Sequence, residues 1–358
     1  MRKKIIKRCV IGFLILLLLS VIVIAVYIAT YRNPEHKKLE QAGIVEKQAD
    51  VNGVQYNYAE GPDNGQPLVL LHAQLLDWYT YSKVLPALSE HFHVYAIDYP
   101  GHGKTVCPDD FTMNADNIGG SLDTFIREVV GEPVFISGNS SGGLLTTWLA
   151  ANDPEMIMAA VLEDPPLFSS EYPEIKETIA YRSFTTSEKA VNEGYDNDFL
   201  MYWVNNSTAF FENYVGKGAQ PAIKAMISYY RLFHRDEEWE LAFMPASVQE
   251  MLRGLDMYDP KFGAAFYEGT WNEGFDHAEA LQKIECPVLL IQADTSFMED
   301  GTLNGAMSEK MANKAMSLLQ DGQYVRVQAG HVTNLEIPEE YTAILTDFFL
   351  NADMQSNH

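Results

Sequence analysis

The chain of 358 residues has little cysteine, few positive charges and no cofactor-binding motif. Its three cysteines, Cys9, Cys107 and Cys286, form no CxxC pair and no metal-type spacing, so neither a disulfide framework nor a zinc site is expected. The sequence has 25 Lys and Arg but 49 Asp and Glu. Because an excess of negative charge repels phosphate backbones, this composition argues against nucleic-acid binding. Because phosphate-loop and dinucleotide-binding glycine patterns are also absent, we expect no cofactor and no metal.

The N-terminus has the one long apolar run. Five positive charges and no acids occupy residues 1–8, and residues 9–30, CVIGFLILLLLSVIVIAVYIAT, are long enough to span a bilayer. A cleaved signal peptide is the alternative, but its apolar core would be shorter, and the small-x-small cleavage pattern is weak here. We therefore expect an uncleaved signal anchor in the cell membrane. Fewer positive charges follow the run than precede it, which places a single-pass protein's body outside the cytoplasm.

From residue 44 onward, short apolar runs alternate with longer helical patterns. Asn52-Gly53 separates two alternating segments and predicts a hairpin. The predicted strands that follow are 67–73, 92–105, 133–138, 159–166, 287–294 and 323–331. The predicted helices are 78–91, 115–130, 143–155 and 337–350. This alternation is typical of an α/β domain with a mainly parallel sheet, which binds ligands at the carboxyl ends of its strands.

The strand pattern stops between Pro166 and Ile284. This stretch is rich in Tyr, Phe, Trp and Met, and contains helix-like segments, so we interpret residues 166–284 as an inserted helical cap. Its apolar side chains could line a pocket for an apolar acyl group or could simply pack the cap onto the sheet. The predicted organisation is an anchor (1–31), a tether (32–43), a first core part (44–165), the cap (166–284) and a second core part (285–358).

The segment FISGNSSGG contains the most specific chemical motif. Gly138, Ser140 and Gly142 form Gly-x-Ser-x-Gly between a predicted strand and a predicted helix, the context of a nucleophile elbow. A frame centred on Ser141 fits less well, since Asn139 would then take the place of a glycine. Ser140 is therefore the candidate nucleophile, and Ser141 would offer a backbone N–H to an oxyanion hole.

Four segments together resemble the α/β-hydrolase superfamily, in its cap-bearing esterase and lipase-like branch. These are LVLLHAQLLDW, IDYPGHGKT, GNSSGG and AGHVTNLEIPEEY, which occur in family order and extend the resemblance over about residues 44–350. The resemblance implies an α/β-hydrolase fold with an inserted helical cap. It also implies a serine hydrolase that acts through a Ser-His-acid triad.

The resemblance assigns roles to single residues. His331 would be the general base that accepts the proton of the nucleophile. The amide of Gln74 would join that of Ser141 in the oxyanion hole, and His72 would be structural. Ala73 stands where the family usually has glycine, which narrows the backbone conformations open to this loop.

The acid of the triad stays open between two residues. Family members place it either after the penultimate strand, near Asp294, or after the strand that follows the elbow, at Asp164. Glu163 and Asp300 are further possibilities, as is the absence of an acid.

We expect a membrane-anchored serine hydrolase that cleaves an ester, thioester or related acyl bond of a small, apolar acyl substrate. One alternative keeps the fold with other chemistry, as a peptidase, a C–C hydrolase or a cofactor-free peroxidase-like enzyme. The other is a catalytically dead surface binding module. The oligomeric state stays open.

Overall fold

The computed structural model describes residues 2–211, 216, 218–235, 237–240 and 245–356. The N-terminal run forms helix α1 (Arg2–Thr30), whose apolar side chains are exposed almost to its end. Among the described residues it is the one helix long and apolar enough to cross a bilayer, a property that signal sequences share. The predicted tether contains a further short helix, α2 (Glu35–Gln41).

Eight strands form one sheet in the order β1-β2-β4-β3-β5-β6-β7-β10. Their bounds are β1 (Val45–Val51), β2 (Val54–Glu60), β3 (Pro67–Leu71), β4 (His93–Asp98), β5 (Val134–Asn139), β6 (Ile157–Glu163), β7 (Val288–Gln292) and β10 (Gly322–Arg326). The predicted hairpin is present, with Asn52 and Gly53 at φ 52° and 86°, and it makes β1 and β2 antiparallel. The strands from β4 to β10 pair in parallel, as the alternation of strands and helices predicts. A separate short hairpin joins β8 (Ser296–Phe297) and β9 (Leu303–Asn304).

Helices cover both faces of the sheet. Along β3, Leu68 and Leu70 pack on one face, with α3 (Leu85–Leu88) and α15 (Pro338–Ser356). Val69 and Leu71 point to the other face, with α4 (Ala115–Phe125) and α5 (Ser141–Asn152). Alternate residues of one buried strand thus serve two cores, which explains why the strand is apolar throughout.

The other helices near the sheet are α12 (His277–Lys283), α13 (Glu309–Leu318) and α14 (Thr333–Glu336). The single helix predicted over 78–91 is wrong: a 3-10 turn (Trp78–Tyr81) and α3 occupy this stretch. The Asp77 carboxylate accepts from the Tyr79 amide at the start of the turn. Pro86 lies in the first turn of α3, where proline is tolerated. It would break a helix that ran through this position from residue 78.

Between β6 and β7, the described residues of the cap form helices and turns. The helices are α6 (Ile179–Glu193), α7 (Phe199–Asn206), α8 (Thr208–Phe210), α9 (Ala219–Phe233), α10 (Ala246–Asp256) and α11 (Pro260–Glu268). Residues 212–215, 217, 236 and 241–244, which the sequence also assigns to the cap, lie outside the described residues. The domain boundaries themselves stay a prediction.

The strand order decides where chemistry can occur. Because β3, β5, β6 and β7 are parallel neighbours, the residues that follow them meet at one edge of the sheet. These residues include Gln74, Ser140, Asp164 and Asp294, which are four of the candidates that the sequence gives.

Candidate active site

Ser140 lies on a sharp turn between β5 and α5. Its backbone has φ 56° and ψ −118°, a conformation that non-glycine residues rarely adopt. The turn needs glycine on both sides: a Cβ on Gly138 would lie 2.2 Å from the Gly142 carbonyl oxygen, and one on Gly142 would lie 2.2 Å from that of Leu71. The geometry is that of a nucleophile elbow, with Ser140 on the wall of a cavity.

The neighbouring Ser141 is placed differently. Ser141 is only 2% exposed, and its Oγ lies 2.8 Å from the Tyr99 hydroxyl. Its amide belongs to the first turn of α5, where backbone N–H groups have no acceptor within the helix and favour negative charge. The two serines therefore offer different groups, a side-chain hydroxyl from Ser140 and a backbone N–H from Ser141.

His331 and Asp164 are in direct contact. The Nδ1 of His331 lies 2.6 Å from Oδ2 of Asp164, and the imidazole lines the same cavity as Ser140. Asp164 is 2% exposed, and its second oxygen accepts from the Ala293 amide at 3.2 Å. A buried carboxylate in this position holds the proton on Nδ1 and leaves Nε2 free to accept one.

The structure brings Asp164, rather than Asp294, to the histidine. The Asp294 side chain is exposed, while its amide donates to the Ala329 carbonyl at 2.9 Å. Of the two remaining carboxylates, Asp300 pairs with Arg182 at 2.6 Å, and Glu163 is buried against Ser137 and Tyr341. The geometry therefore favours Asp164 as the acid.

Glu163 forms a buried polar site beside the acid. Its Oε1 accepts from the Tyr341 hydroxyl at 2.7 Å and from Ser137, whereas its Oε2 is buried with no partner among the described residues. Burial raises the pKa of this carboxyl from 4.5 to about 7, although both hydroxyls oppose the shift. In the folded protein the group therefore keeps its proton to higher pH than in the unfolded chain.

Glu163→Gln should retain activity and remove one pH dependence of stability. Between the unfolded pKa of 4.5 and the folded pKa of about 7, the native state binds the extra proton, so stability falls as pH rises through this window. Glutamine stays neutral, so the variant should be more stable than the parent at about pH 8 and close to it at about pH 5. Thermal unfolding at the two pH values measures this. A loss of activity as large as that expected for Asp164→Asn would contradict it and indicate that Glu163 is catalytic.

Asn139 is a site residue that the sequence analysis missed. Its Nδ2 donates to the carbonyl oxygens of Glu163 at 3.1 Å and His331 at 2.9 Å. It thus joins the nucleophile turn to the backbone that carries the acid and to the backbone that carries the base. Its position directly before Ser140 was the available signal, but the partner 192 residues away is visible only in the fold.

The loop after β3 carries the proposed oxyanion residue Gln74. The Nδ1 of His72 donates to the Ala73 carbonyl at 2.8 Å, and burial lowers the pKa of this imidazole to about 3, so it is neutral. Leu75, at φ 66°, takes the left-handed conformation in this loop. Ala73 is not among the described residues with positive φ, so alanine is accommodated where the family usually has glycine.

The cap holds this loop at three successive points. Gln74 Nε2 donates to the Tyr258 hydroxyl at 2.6 Å. A Cβ on Gly254 would lie 2.1 Å from the Leu75 carbonyl oxygen, so α10 and the loop are in close backbone contact. The third contact is a buried ion pair, in which Arg253 Nε lies 2.8 Å from Asp77 Oδ2. Arg253 also bonds Glu240 at 2.9 Å, so the cation has more than one carboxylate partner.

The cavity shared by Ser140 and His331 has a volume of about 510 Å³. Its wall is largely apolar and aromatic, with several serine hydroxyls. The apolar and aromatic side chains are Leu75, Leu76, Ile175, Ile179, Phe184, Phe210, Val248, Met251, Phe266 and Val332. Among the described lining residues there is no Lys or Arg, and Glu336 is the only carboxylate. Such a wall suits an uncharged acyl group and offers no cation to a carboxylate or phosphate.

Metal ligands do not cluster in the part of the chain that the structure describes: no three His, Cys, Asp or Glu side chains there could hold an ion. The three cysteines are free thiols. The reactive groups that the described residues place at or beside the cavity are the Ser140 hydroxyl, the His331 imidazole, the Asp164 carboxylate and the nearby backbone amides.

Comparison with known proteins finds relatives and solved structures similar to this chain. A serine hydrolase-like protein from Danio rerio is 22% identical over 289 residues, covering 80% of this chain and 82% of its own. Among solved structures, a bacterial membrane phospholipase A has a TM-score of 0.62 at 20% identity, covering 97% of this chain and 99% of its own. A carboxylesterase from Bacillus subtilis has a TM-score of 0.59 at 19% identity, covering 88% and 95%.

At identities of 20% and 19%, similarity to these solved structures is evidence for the fold alone. The model of the alpha/beta hydrolase family, however, matches residues 68–344, a range that runs from β3 into α15 and contains the elbow, Asp164 and His331. The chain therefore belongs to the alpha/beta hydrolase family.

Proposed function

We propose that the protein is a serine hydrolase that cleaves a carboxyl ester or thioester with an uncharged, apolar acyl group. The observation that carries the proposal is the 2.6 Å contact between His331 Nδ1 and Asp164 Oδ2, beside a cavity that both His331 and Ser140 line. The apolar wall supports the acyl group, and the similar carboxylesterase and the serine hydrolase-like relative agree with this chemistry.

The proposed reaction has two steps. Ser140 Oγ attacks the carbonyl carbon while His331 Nε2 takes the hydroxyl proton, and the amides of Gln74 and Ser141 stabilise the oxyanion. Asp164 stabilises the imidazolium. His331 then donates its proton to the leaving alcohol or thiol, and the acyl group stays on Ser140. A water molecule, deprotonated by His331, then attacks the acyl carbon. The bond to Ser140 Oγ breaks, His331 returns the proton to Oγ, and the carboxylic acid is released.

We further propose that α1 anchors the enzyme in the cell membrane, with the body on the extracytoplasmic side. The length and composition of α1 support an anchor, and the positive charges before it support the orientation. The similar membrane phospholipase A is compatible with a hydrolase in this setting.

A fluorophosphonate probe tests the hydrolase proposal. It should form one covalent adduct, and peptide mapping should place the adduct on Ser140, because a phosphonylated serine mimics the tetrahedral intermediate. Heat-denatured protein is the control and should not react. If the folded protein stays unlabelled, the catalytic proposal is wrong, and the alternative of a binding module on this scaffold gains support.

A further inference from the structure

Cap helix α9 has an apolar side that the other described parts of the protein cover only in part, since Met226 and Tyr229 are half-buried while Leu232 and Phe233 are exposed. Its buried side consists of Ile223, Ile227 and Tyr230. About 120° around the helix lies a second apolar stripe, here called the α9 outer face, whose six residues are Ala222, Ala225, Met226, Tyr229, Leu232 and Phe233. Leu232 and Phe233 are 62% and 54% exposed. A helix that meets only water on this side would carry polar residues there.

The end of α9 is attached to the end of α1. His234, which directly follows α9, donates from Nε2 to the carbonyl oxygen of Ile28 at 3.0 Å. Ile28 is 5% exposed, whereas Val26, two residues earlier, is 57% exposed. The His234 ring stacks on Tyr230 with centroids 4.2 Å apart, and Arg32 reaches its Nδ1 at 3.3 Å. The last turn of α1 is thus held against the cap.

We propose that the α9 outer face rests on the lipid bilayer that α1 crosses. Ile28 is two residues from the end of α1, about 3 Å along its axis, so the end of α9 lies close to where α1 leaves the hydrocarbon. Tyr27, Tyr31 and Tyr229 supply the aromatic residues that favour the membrane interface.

Lipid suits this face better than a soluble partner does, because α9 ends in contact with the last turn of α1, whose exposed apolar surface lies in lipid if α1 is an anchor. The inference rests on the proposed anchor. Its consequence concerns substrate, since the cap also supplies Val248 and Met251 to the cavity wall. An apolar ester dissolved in the membrane would meet the cap without passing through water.

Spin labels on the full-length protein in phosphatidylcholine bilayers test the proposal. With the three native cysteines replaced by serine, a label is placed at Phe233→Cys, at Val21→Cys within α1, or at Val106→Cys. Val106 is a matched control, because it is an apolar residue 62% exposed on the core domain. The labels at 233 and 21 should collide with dissolved oxygen more than with a water-soluble nickel complex, and the label at 106 should show the reverse.

The outcomes separate the two proposals. A label at 233 that behaves like the one at 106, while the label at 21 lies in lipid, overturns the docking and leaves the anchor intact. A label at 21 that is accessible to nickel overturns the anchor and the docking with it. Spin–spin broadening at 233 with little oxygen contact shows that a second copy covers the face, which also overturns the proposal.

A functional variant gives a second measurement. Phe233→Asp should lower hydrolysis of a long-chain ester embedded in vesicles by about 10-fold or more, because an aromatic side chain proposed to lie in lipid is replaced by a charge. Hydrolysis of a short, water-soluble ester should be unchanged, because Phe233 does not line the cavity. Val106→Asp is the control and should alter neither activity. Equal activity of Phe233→Asp and the parent on vesicles would contradict the proposal.

Discussion

Replacing Ser140 by alanine should lower kcat/KM for the best ester substrate by a factor on the order of 10⁴ or more, because the acyl-enzyme cannot form. Binding of the substrate should change little, since the cavity wall remains. The Ser140 backbone is held at positive φ by the two glycine contacts around it, and alanine can occupy the same site at nearly the same volume. Steady-state kinetics with an ester, together with the unfolding temperature of the variant, measure the effect.

Ser141→Ala is the matched control for this experiment. It removes a hydroxyl from the adjacent position and keeps the backbone N–H proposed for the oxyanion hole. The loss is the 2.8 Å contact with Tyr99, so we expect a decrease in activity of at most about tenfold. A folded Ser140→Ala variant that keeps activity comparable to that of Ser141→Ala would show that the wrong residue has been assigned as nucleophile.

Asp164→Asn should lower kcat by about 10³- to 10⁴-fold with a much smaller change in KM. The carboxylate now accepts the His331 Nδ1 proton at 2.6 Å, whereas an asparagine amide can donate to Nδ1 and favour the tautomer with the proton on Nε2. That tautomer cannot accept the proton of Ser140. Removing the buried charge also removes the stabilisation of the imidazolium. Steady-state kinetics with an ester give kcat and KM separately.

Asp294→Asn makes the same chemical change at the other candidate acid. Because this side chain is exposed and the contact with His331 comes from Asp164, we expect activity close to that of the parent. If Asp294→Asn is as damaging as Asp164→Asn, the acid assignment fails. If both variants are as active as the parent, the proposed triad has no essential carboxylate.

Much of the fold was predictable because its signals are local. Asn52-Gly53 specified the first hairpin, and the apolar runs specified strands that are buried on both faces. The prediction of one helix over 78–91 was wrong because it relied on the hydrophobic pattern. It neglected two local features that divide this stretch, the carboxylate of Asp77 and the ring of Pro86.

The site was predictable to the level of which residues follow which strands. Two glycines at fixed spacing identify the elbow, because the turn leaves no room for a Cβ. The choice of acid was not predictable, since β6 and β7 are neighbours and end at the same edge. Asp164 reaches the histidine through a backbone at φ 44°, which pattern and spacing do not reveal. Arg253 and Asn139 were missed for the same reason, because their partners are distant in the chain.

The three contacts between the cap and the loop after β3 have a consequence for how substrate can enter. The cap contacts this loop through Tyr258 at Gln74, through Gly254 at Leu75 and through Arg253 at Asp77. This end of the cap therefore cannot move away from the sheet without displacing the loop that carries the proposed oxyanion amide. Substrate could then not enter at this end while the loop is in position to stabilise the transition state.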